Sequence, residues 1–178
     1  MATNKHTIVA IVQDRPGVLN RMVSLFRRRG FNIESIAVGH SEEPHLSRVT
    51  IVVNGSNAMV EQVRKQLDKL VDLVRVSDIT GDKITTRELA MVKVKANSAT
   101  RSEIIEIADI FRANIVDVAS DTLTIEITGD EDKINSMLQL LRGFGIREIA
   151  RTGRIAMVRG TIGASVAQPK AARSRSKK

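Results

Sequence analysis

The chain has 178 residues, 42% of them hydrophobic and 27% charged, which suits one ordinary domain or two small ones with cores of their own. Its 28 Lys and Arg against 20 Asp and Glu leave a formal charge of +8, a balance that points toward nucleic acid, an anionic membrane or a phosphorylated ligand. Four Phe with no Trp or Tyr leave little for stacking on unpaired bases, and zero Cys excludes disulfides, thiolate metal sites and a cysteine nucleophile.

Residues 7–13 (TIVAIVQ) form a short apolar run of strand length, stopped by Asp14-Arg15-Pro16-Gly17. From Val18 the apolar residues Leu19, Met22, Val23 and Phe26 recur at helical spacing. Arg27, Arg28 and Arg29 then crowd the last turn, where positive charge suits the helix dipole, and Gly30 supplies a stop. Residues 32–39 and 47–54 read as two strands around the polar loop His40 to His45. Asn54-Gly55-Ser56 breaks the chain before a helix carried by Val60, Val63, Leu67 and Leu70, and a strand at 73–79 completes the unit.

The pattern then repeats. A strand at 88–96 leads to Thr100-Arg101-Ser102-Glu103, which predicts a capping box in which Thr100 caps and Glu103 reaches back. The next helix places Ile104, Ile107, Ala108 and Phe111 on one face. Strands at 114–119 and 123–128 meet at a tight turn, and Gly129-Asp130 opens a helix carrying Ile134, Met137, Leu138 and Leu141. A strand near 146–150 closes the unit, and Gly153 to Arg159 adds a short extra one. Phe26-Arg-Arg-Arg-Gly-Phe-Asn-Ile33 is echoed by Phe111-Arg-Ala-Asn-Ile115. The expectation is an α+β protein of two tandem ferredoxin-like βαββαβ domains, at 1–81 and 82–163, each an antiparallel sheet with two helices on one face. Open sheet faces and edges of this kind favour a dimer or a larger assembly.

The last fifteen residues, 164–178, hold Lys170, Arg173, Arg175, Lys177 and Lys178 and no acid, leaving +3 for residues 1–163. Their Ala/Ser/Lys/Arg composition predicts a disordered basic tail. No run approaches the roughly 18 consecutive apolar residues of a membrane helix. Met1 to His6 also lack the charged start and apolar core of a secretory signal, so a cytoplasmic protein without a membrane partner is expected.

The chemistry concentrates at Gln13-Asp14-Arg15-Pro16-Gly17-Val18-Leu19. Pro16 near the first helical position is preorganised in φ, Gly17 admits a ligand to the backbone, and free first-turn N–H groups suit a carboxylate. Asp14 caps the helix or accepts from an ammonium group. An anion cradle beside a carboxylate matches a free amino-acid zwitterion; a capped turn without ligand accounts for the same letters. His40 and His45 flank Glu42 and Glu43, a set that reads either as a metal site or as a polar hairpin loop, and the loop is the simpler reading. No Ser/His/Asp group or convergent carboxylate pair marks a catalytic site.

Asp14-Arg15-Pro16-Gly17-Val18-Leu19-Asn20-Arg21, Leu25-Phe26-x3-Gly30-Phe31-Asn32-Ile33-Glu34-Ser35 and Leu46-Ser47-Arg48-x-Thr50 resemble an ACT domain of a particular kind, that of the regulatory small subunits of acetolactate synthase, or acetohydroxyacid synthase. The resemblance runs on through Lys65-Gln66-Leu67-x-Lys69-Leu70-Val71, Arg87-Glu88-Leu89 and Ile110 to Val118, and covers about residues 7 to 160. It implies a subunit without a catalytic site that binds and activates a separate catalytic large subunit at the start of branched-chain amino-acid synthesis. Thiamine diphosphate, Mg and FAD belong to that partner, and none to this chain. It further implies feedback inhibition by valine or a related branched-chain amino acid, bound in a homodimer between N-terminal ACT domains. Carried over by position, the effector-binding residues are Asp14, Gly17, Val18, Asn20, Asn32 and Ile33. Many family members have Asn where Asp14 stands, which alters the charge offered to both ends of the effector. Lys95-Ala96-Asn97-Ser98-Ala99-Thr100 replaces the Pro-Gly loop in the second half, so a different role is expected there, dimerisation or contact with the catalytic subunit. The competing reading is an amino-acid-sensing nucleic-acid-binding regulator using the basic tail on phosphate. It lacks a base-reading element once both βαββαβ units are assigned.

Overall fold

The computed structural model describes residues 4–28 and 30–160; Arg29 and the tail at 164–178 lie outside them. The first sheet is built from β1 (Asn4–Gln13), β2 (Ile33–His40), β3 (Leu46–Gly55) and β4 (Leu73–Asp78), in the order β2-β3-β1-β4 and all antiparallel. Helices α1 (Val18–Arg28) and α2 (Asn57–Leu67) join β1 to β2 and β3 to β4. The second sheet repeats this with β5 (Ile84–Lys95), β6 (Asn114–Val118), β7 (Thr122–Gly129) and β8 (Ile146–Arg151) in the order β6-β7-β5-β8, with α3 (Arg101–Ile110) and α4 (Glu131–Leu141). A 3-10 turn at Arg142–Phe144 follows α4, and β9 (Ile155–Val158) pairs with β5. Two tandem ferredoxin-like domains are the architecture the periodicity predicted.

Strand alternation decides each core. Ile8, Ala10 and Val12 of β1 and Val49, Ile51 and Val53 of β3 face Val18, Met22, Leu25 and Phe26 of α1 and Val60, Val63 and Leu67 of α2. In the second unit Ala90, Val92 and Val94 with Leu123, Ile125 and Ile127 face Ile104, Ala108, Ile134, Met137, Leu138 and Leu141. Each fully buried Val, Leu or Ile contributes about 1.5–3 kcal/mol relative to exposure, which is the main force holding helix to sheet. Among the described residues no helix is long and apolar enough to cross a membrane.

The repeat extends to backbone detail. A register shift interrupts β2–β3 between Ile33 and Ser35, and β6–β7 between Ile115 and Asp117. Both first helices end in a Schellman arrangement, with Phe31 N–H bonded to the Phe26 carbonyl (3.1 Å) and Ala113 N–H to the Ala108 carbonyl (2.8 Å). The left-handed position is Gly30 (φ 70°) in the first and Arg112 (φ 50°) in the second. The structural echo therefore aligns Asn32-Ile33 with Asn114-Ile115, and Gly30 rather than a helical arginine with Arg112.

Two expectations change. The capping box at Thr100 and Glu103 is absent, because Thr100 already has helical backbone angles and its side chain makes no cap to the following turn. The box lies three residues earlier: Asn97 Oδ1 accepts from Thr100 N–H (2.9 Å) while Thr100 Oγ1 accepts from Asn97 N–H (3.1 Å). The second change concerns β9, assigned from sequence to a domain spanning 82–163. The compact units divide between Thr85 and Thr86, and the segment from Ala156 returns to the first unit. There Ala156 packs with Val9 and Ile79, its carbonyl accepts from Arg48 Nη2 (2.9 Å), and Arg159 N–H donates to the Lys83 carbonyl (2.8 Å). Part of the open face of the first sheet is thus covered by its own chain. Pro16 stands two residues before the first helical residue, Val18, near the helix start as expected.

Candidate functional site

Gly17 has φ 84°, and Val18 N–H bonds back to the Arg15 carbonyl (3.3 Å). These are the marks of a β-turn with Pro16 and Gly17 at its centre, a conformation in which the third residue must be left-handed. Helix α1 then starts directly at Val18. Arg21 N–H takes the Gly17 carbonyl (3.0 Å), leaving the N–H groups of Leu19 and Asn20 without a backbone partner among the described residues.

The loop is anchored from two sides. Gln13 N–H donates to the Asp72 carbonyl (2.9 Å), and Asp14 N–H to the His45 carbonyl (2.8 Å), so the end of β1 is held by the segment before β4 and by the β2–β3 hairpin loop. Arg21 Nη2 meets Asp72 Oδ2 at 2.6 Å, placing its guanidinium beside the turn. A methyl group built on Gly17 would lie 3.6 Å from Arg21 Nη1. The carboxylate of Asp14 makes no cap; Oδ2 lies 3.4 Å from Nδ1 of His40 at the end of β2. His45, at φ 63°, closes the hairpin loop in which Ser41 bonds both backbone groups of Glu43. Among the described residues no set of three His, Asp or Glu is placed to hold a metal ion.

The residues carried over by resemblance fall into two places. Asp14, Gly17 and Asn20 are exposed around the turn, whereas the Val18 side chain is buried in the core. Asn32 and Ile33 sit at the other end of the sheet, Ile33 opposite Val53 and Val53 opposite His6, while Gln13 pairs with Leu46. Seven residue steps along β2 separate Ile33 from His40, roughly 23 Å of extended strand. Within one chain these two halves are not brought together. The strand between them, β2, is an edge strand, and Val38 on it and Leu19 and Val23 on α1 are large apolar residues left exposed.

Sequence reading missed two features here. Arg48, quoted only as part of a motif, is half-buried and ties β3 to Ala156; burial lowers its basicity, Glu42 opposes that effect and Arg75 adds to it. His6 is buried with Nδ1 3.2 Å from Asp78 Oδ2, and its Nε2 has no partner among the described residues. An apolar alternation with one polar letter gives no signal of either contact.

In the second unit the same anchoring recurs: Lys95 N–H donates to the Gly145 carbonyl (3.1 Å) and Ala96 N–H to the Asp121 carbonyl (2.9 Å). Lys95 and Ala96 therefore occupy the positions of Gln13 and Asp14. The turn that follows is the Asn97–Thr100 cap, with no glycine and no left-handed residue among 97–100.

Two family models divide the chain between them. The AHAS small subunit-like ACT domain matches residues 8–75, and the small subunit of acetolactate synthase matches residues 87–160. A protein of Archaeoglobus fulgidus named "Probable acetolactate synthase small subunit" is 54% identical over 156 residues, 88% of this chain and 98% of its own. The acetolactate synthase small subunit of Mycolicibacterium smegmatis is 46% identical over 166 residues, covering 93% of this chain and 98% of its own. The crystal structure of the small subunit from Thermotoga maritima superposes with a TM-score of 0.82 at 40% identity, over 89% of this chain and 99% of that one. With the doubled fold, these matches show that the chain belongs to the family of small, regulatory subunits of acetolactate synthase, a transferase whose cofactors belong to its catalytic subunit.

Proposed function

We propose that this chain activates the catalytic large subunit of acetolactate synthase in the cytoplasm and confers feedback inhibition by valine or a related branched-chain amino acid. The effector site is shared between two copies of the first unit. The observation that carries this reading is the separation of its two halves along an unpaired edge strand, with the Asp14–Asn20 loop beyond one end of β2 and Asn32 and Ile33 at the other. An antiparallel, two-fold pairing of β2 with the β2 of a second copy would set Ile33 of one chain against the His40 end, and so against the loop, of the other. The exposed Leu19, Val23 and Val38 supply apolar surface on that flank.

In that arrangement the effector carboxylate meets the first-turn N–H groups of α1, with Arg21 nearby. Its ammonium group meets the Asp14 carboxylate and the polar groups at Asn32, and its branched chain lies in the dimer seam. The buried Val18 side chain contributes no ligand contact, so its part is limited to fixing the start of the helix. Inhibition is a coupling between two sites: an effector preferring one dimer arrangement biases the attached enzyme, and about 1–3 kcal/mol of coupling changes activity roughly 5- to 150-fold.

Gly17→Asp tests the site. It crowds the turn and sets a negative charge where the carboxylate lies, so reconstituted enzyme should lose valine inhibition while activation by the small subunit is retained. Gly17→Ala separates backbone strain, about 1–2 kcal/mol for a left-handed residue, from charge. Full valine sensitivity in the Asp variant would overturn the assignment.

A further inference from the structure

The end of β5 carries a concave feature outside the site described above. A cavity of about 270 Å³ opens there, lined by Lys95, Ala96, Asn97, Thr100, Asp121, Phe144 and Arg147. Every lining residue belongs to the second unit, and the cavity sits at the loop equivalent to Asp14–Gly17.

Its chemistry differs from that of the first loop. Neither Lys95 nor Arg147 is paired with a carboxylate among the described residues, and Asp121 is the one acid on the rim. The lining therefore carries a net positive charge, enough for one anionic group and poorly matched to a polyphosphate. The Asn97 amide is oriented by its role as a cap. Oδ1 accepts from Ala99 N–H (3.0 Å), Thr100 N–H (2.9 Å) and the Thr100 hydroxyl (3.1 Å), which leaves Nδ2 as a donor without a partner among the described residues. Phe144, half-buried against the second core, gives the cavity an apolar wall. The Lys95 stem passes Gly145 closely: a methyl group built on that glycine would lie 3.3 Å from Lys95 Cδ. The lysine stem therefore lies against Gly145 at the edge of the cavity. The volume lies just below the range that holds drug-sized ligands, and so fits a molecule of a few carbons.

We propose that this cavity binds a small organic acid through a single anionic headgroup, held by Lys95, Arg147 and the Asn97 amide, with the carbon body against Phe144. The inference is independent of the effector site on the first unit. Two ion-type donors and an amide recognise a carboxylate and a phosphate monoester alike, so both are tested. Isotope-labelled full-length protein is titrated with isovalerate and, separately, with inorganic phosphate, following amide resonances by NMR.

Saturable shifts at Asn97, Thr100 and Arg147 are expected, with binding at least ten-fold weaker in the double variant K95Q/R147Q. Asn97→Asp keeps a good capping side chain but replaces the amide donor with a negative charge, and should weaken binding similarly while the rest of the spectrum is retained. Saturation by isovalerate assigns the carboxylate source, and saturation by phosphate alone assigns the phosphate source. No saturable shift with either probe, shifts confined to the Asp14–Asn20 loop, or unchanged affinity in both variants overturns the proposal.

Discussion

The backbone N–H of Asp14 is bonded to the carbonyl oxygen of His45 across 2.8 Å, which fixes the end of β1 against the tip of the β2–β3 hairpin. The second unit makes the same bond from Ala96 to Asp121 at 2.9 Å. The two units thus share their anchoring and differ in the turn that follows it. Pro16 and Gly17 leave the first-turn amides of α1 open, whereas Asn97 and Thr100 satisfy the corresponding groups of α3 from within the chain. A turn already satisfied by its own side chains leaves an anion to the surrounding side-chain donors instead of to first-turn amides.

The proposed two-fold effector site requires dimer formation through the flank of α1 and β2. Val23 is 40% exposed on α1, so a charge there should cost the fold little while opposing an apolar seam. Val23→Glu is expected to convert a dimer to a monomer by light scattering and to reduce valine inhibition at least ten-fold, with the thermal transition almost unchanged.

The Asn97 cap has a defined cost. Asn97→Ala removes the acceptor for two backbone N–H groups at the start of α3 and should destabilise the protein by about 1 kcal/mol, within a range of roughly 0.5–2. Urea unfolding measures this. Ser or Asp at the same position should restore most of the loss.

Glu88 is buried at the start of β5, and its two oxygens take Arg151 Nε (2.6 Å) and Nη2 (2.7 Å) of β8, while Arg151 Nη1 reaches Asn135 of α4 (3.2 Å). Hydrogen bonding to Glu88 raises the Arg151 pKa, offset in part by burial. Glu88→Gln leaves the guanidinium without its counter-charge and should cost roughly 1–3 kcal/mol in urea unfolding. Glu88→Asp should recover less than half, because the shorter side chain loses the two-point contact.

On α2 the Glu61 carboxylate accepts from Arg64 Nε and Nη2, both at 2.8 Å, and these bonds lower its pKa from 4.5 to about 2. A carboxylate depressed on folding stabilises the native state above its unfolded value. That contribution is lost as pH falls from about 4.5 toward 2. NMR titration of the Glu61 side-chain carboxyl carbon should give a midpoint near 2, and Arg64→Gln should move it back toward the ordinary range.

Much of the fold was legible along the chain because period-two and helical patterns each bury one face. The apolar run at 7–13, the alternation in 88–96 and the spacing of Ile134, Met137, Leu138 and Leu141 record which elements and faces meet the core, whereas of Leu19, Met22, Val23 and Phe26 on the first helix only Met22 and Phe26 are buried. The loop letters Asp14, Pro16 and Gly17 were visible for the same local reason. A left-handed residue inside a tight turn restricts composition wherever it occurs.

The +8 surplus resolved into a mildly basic body and a cationic tail by counting alone, since charge is additive along a sequence. What counting does not contain is distance between remote residues. Asn97 and Thr100 as a reciprocal cap, Arg48 on the Ala156 carbonyl, the return of β9 to the first unit and the meeting of Lys95 with Arg147 at one cavity are consequences of strand order and register. The same holds for Asn32 and Ile33, which lie only 15 and 16 residues past Gly17. Helix α1 and its Schellman turn carry the chain to the opposite end of the sheet, so nearness in sequence becomes roughly the length of a strand in space. Local patterning determined the doubled βαββαβ fold; only the tertiary structure decided that the predicted effector residues lie at two ends of one edge strand.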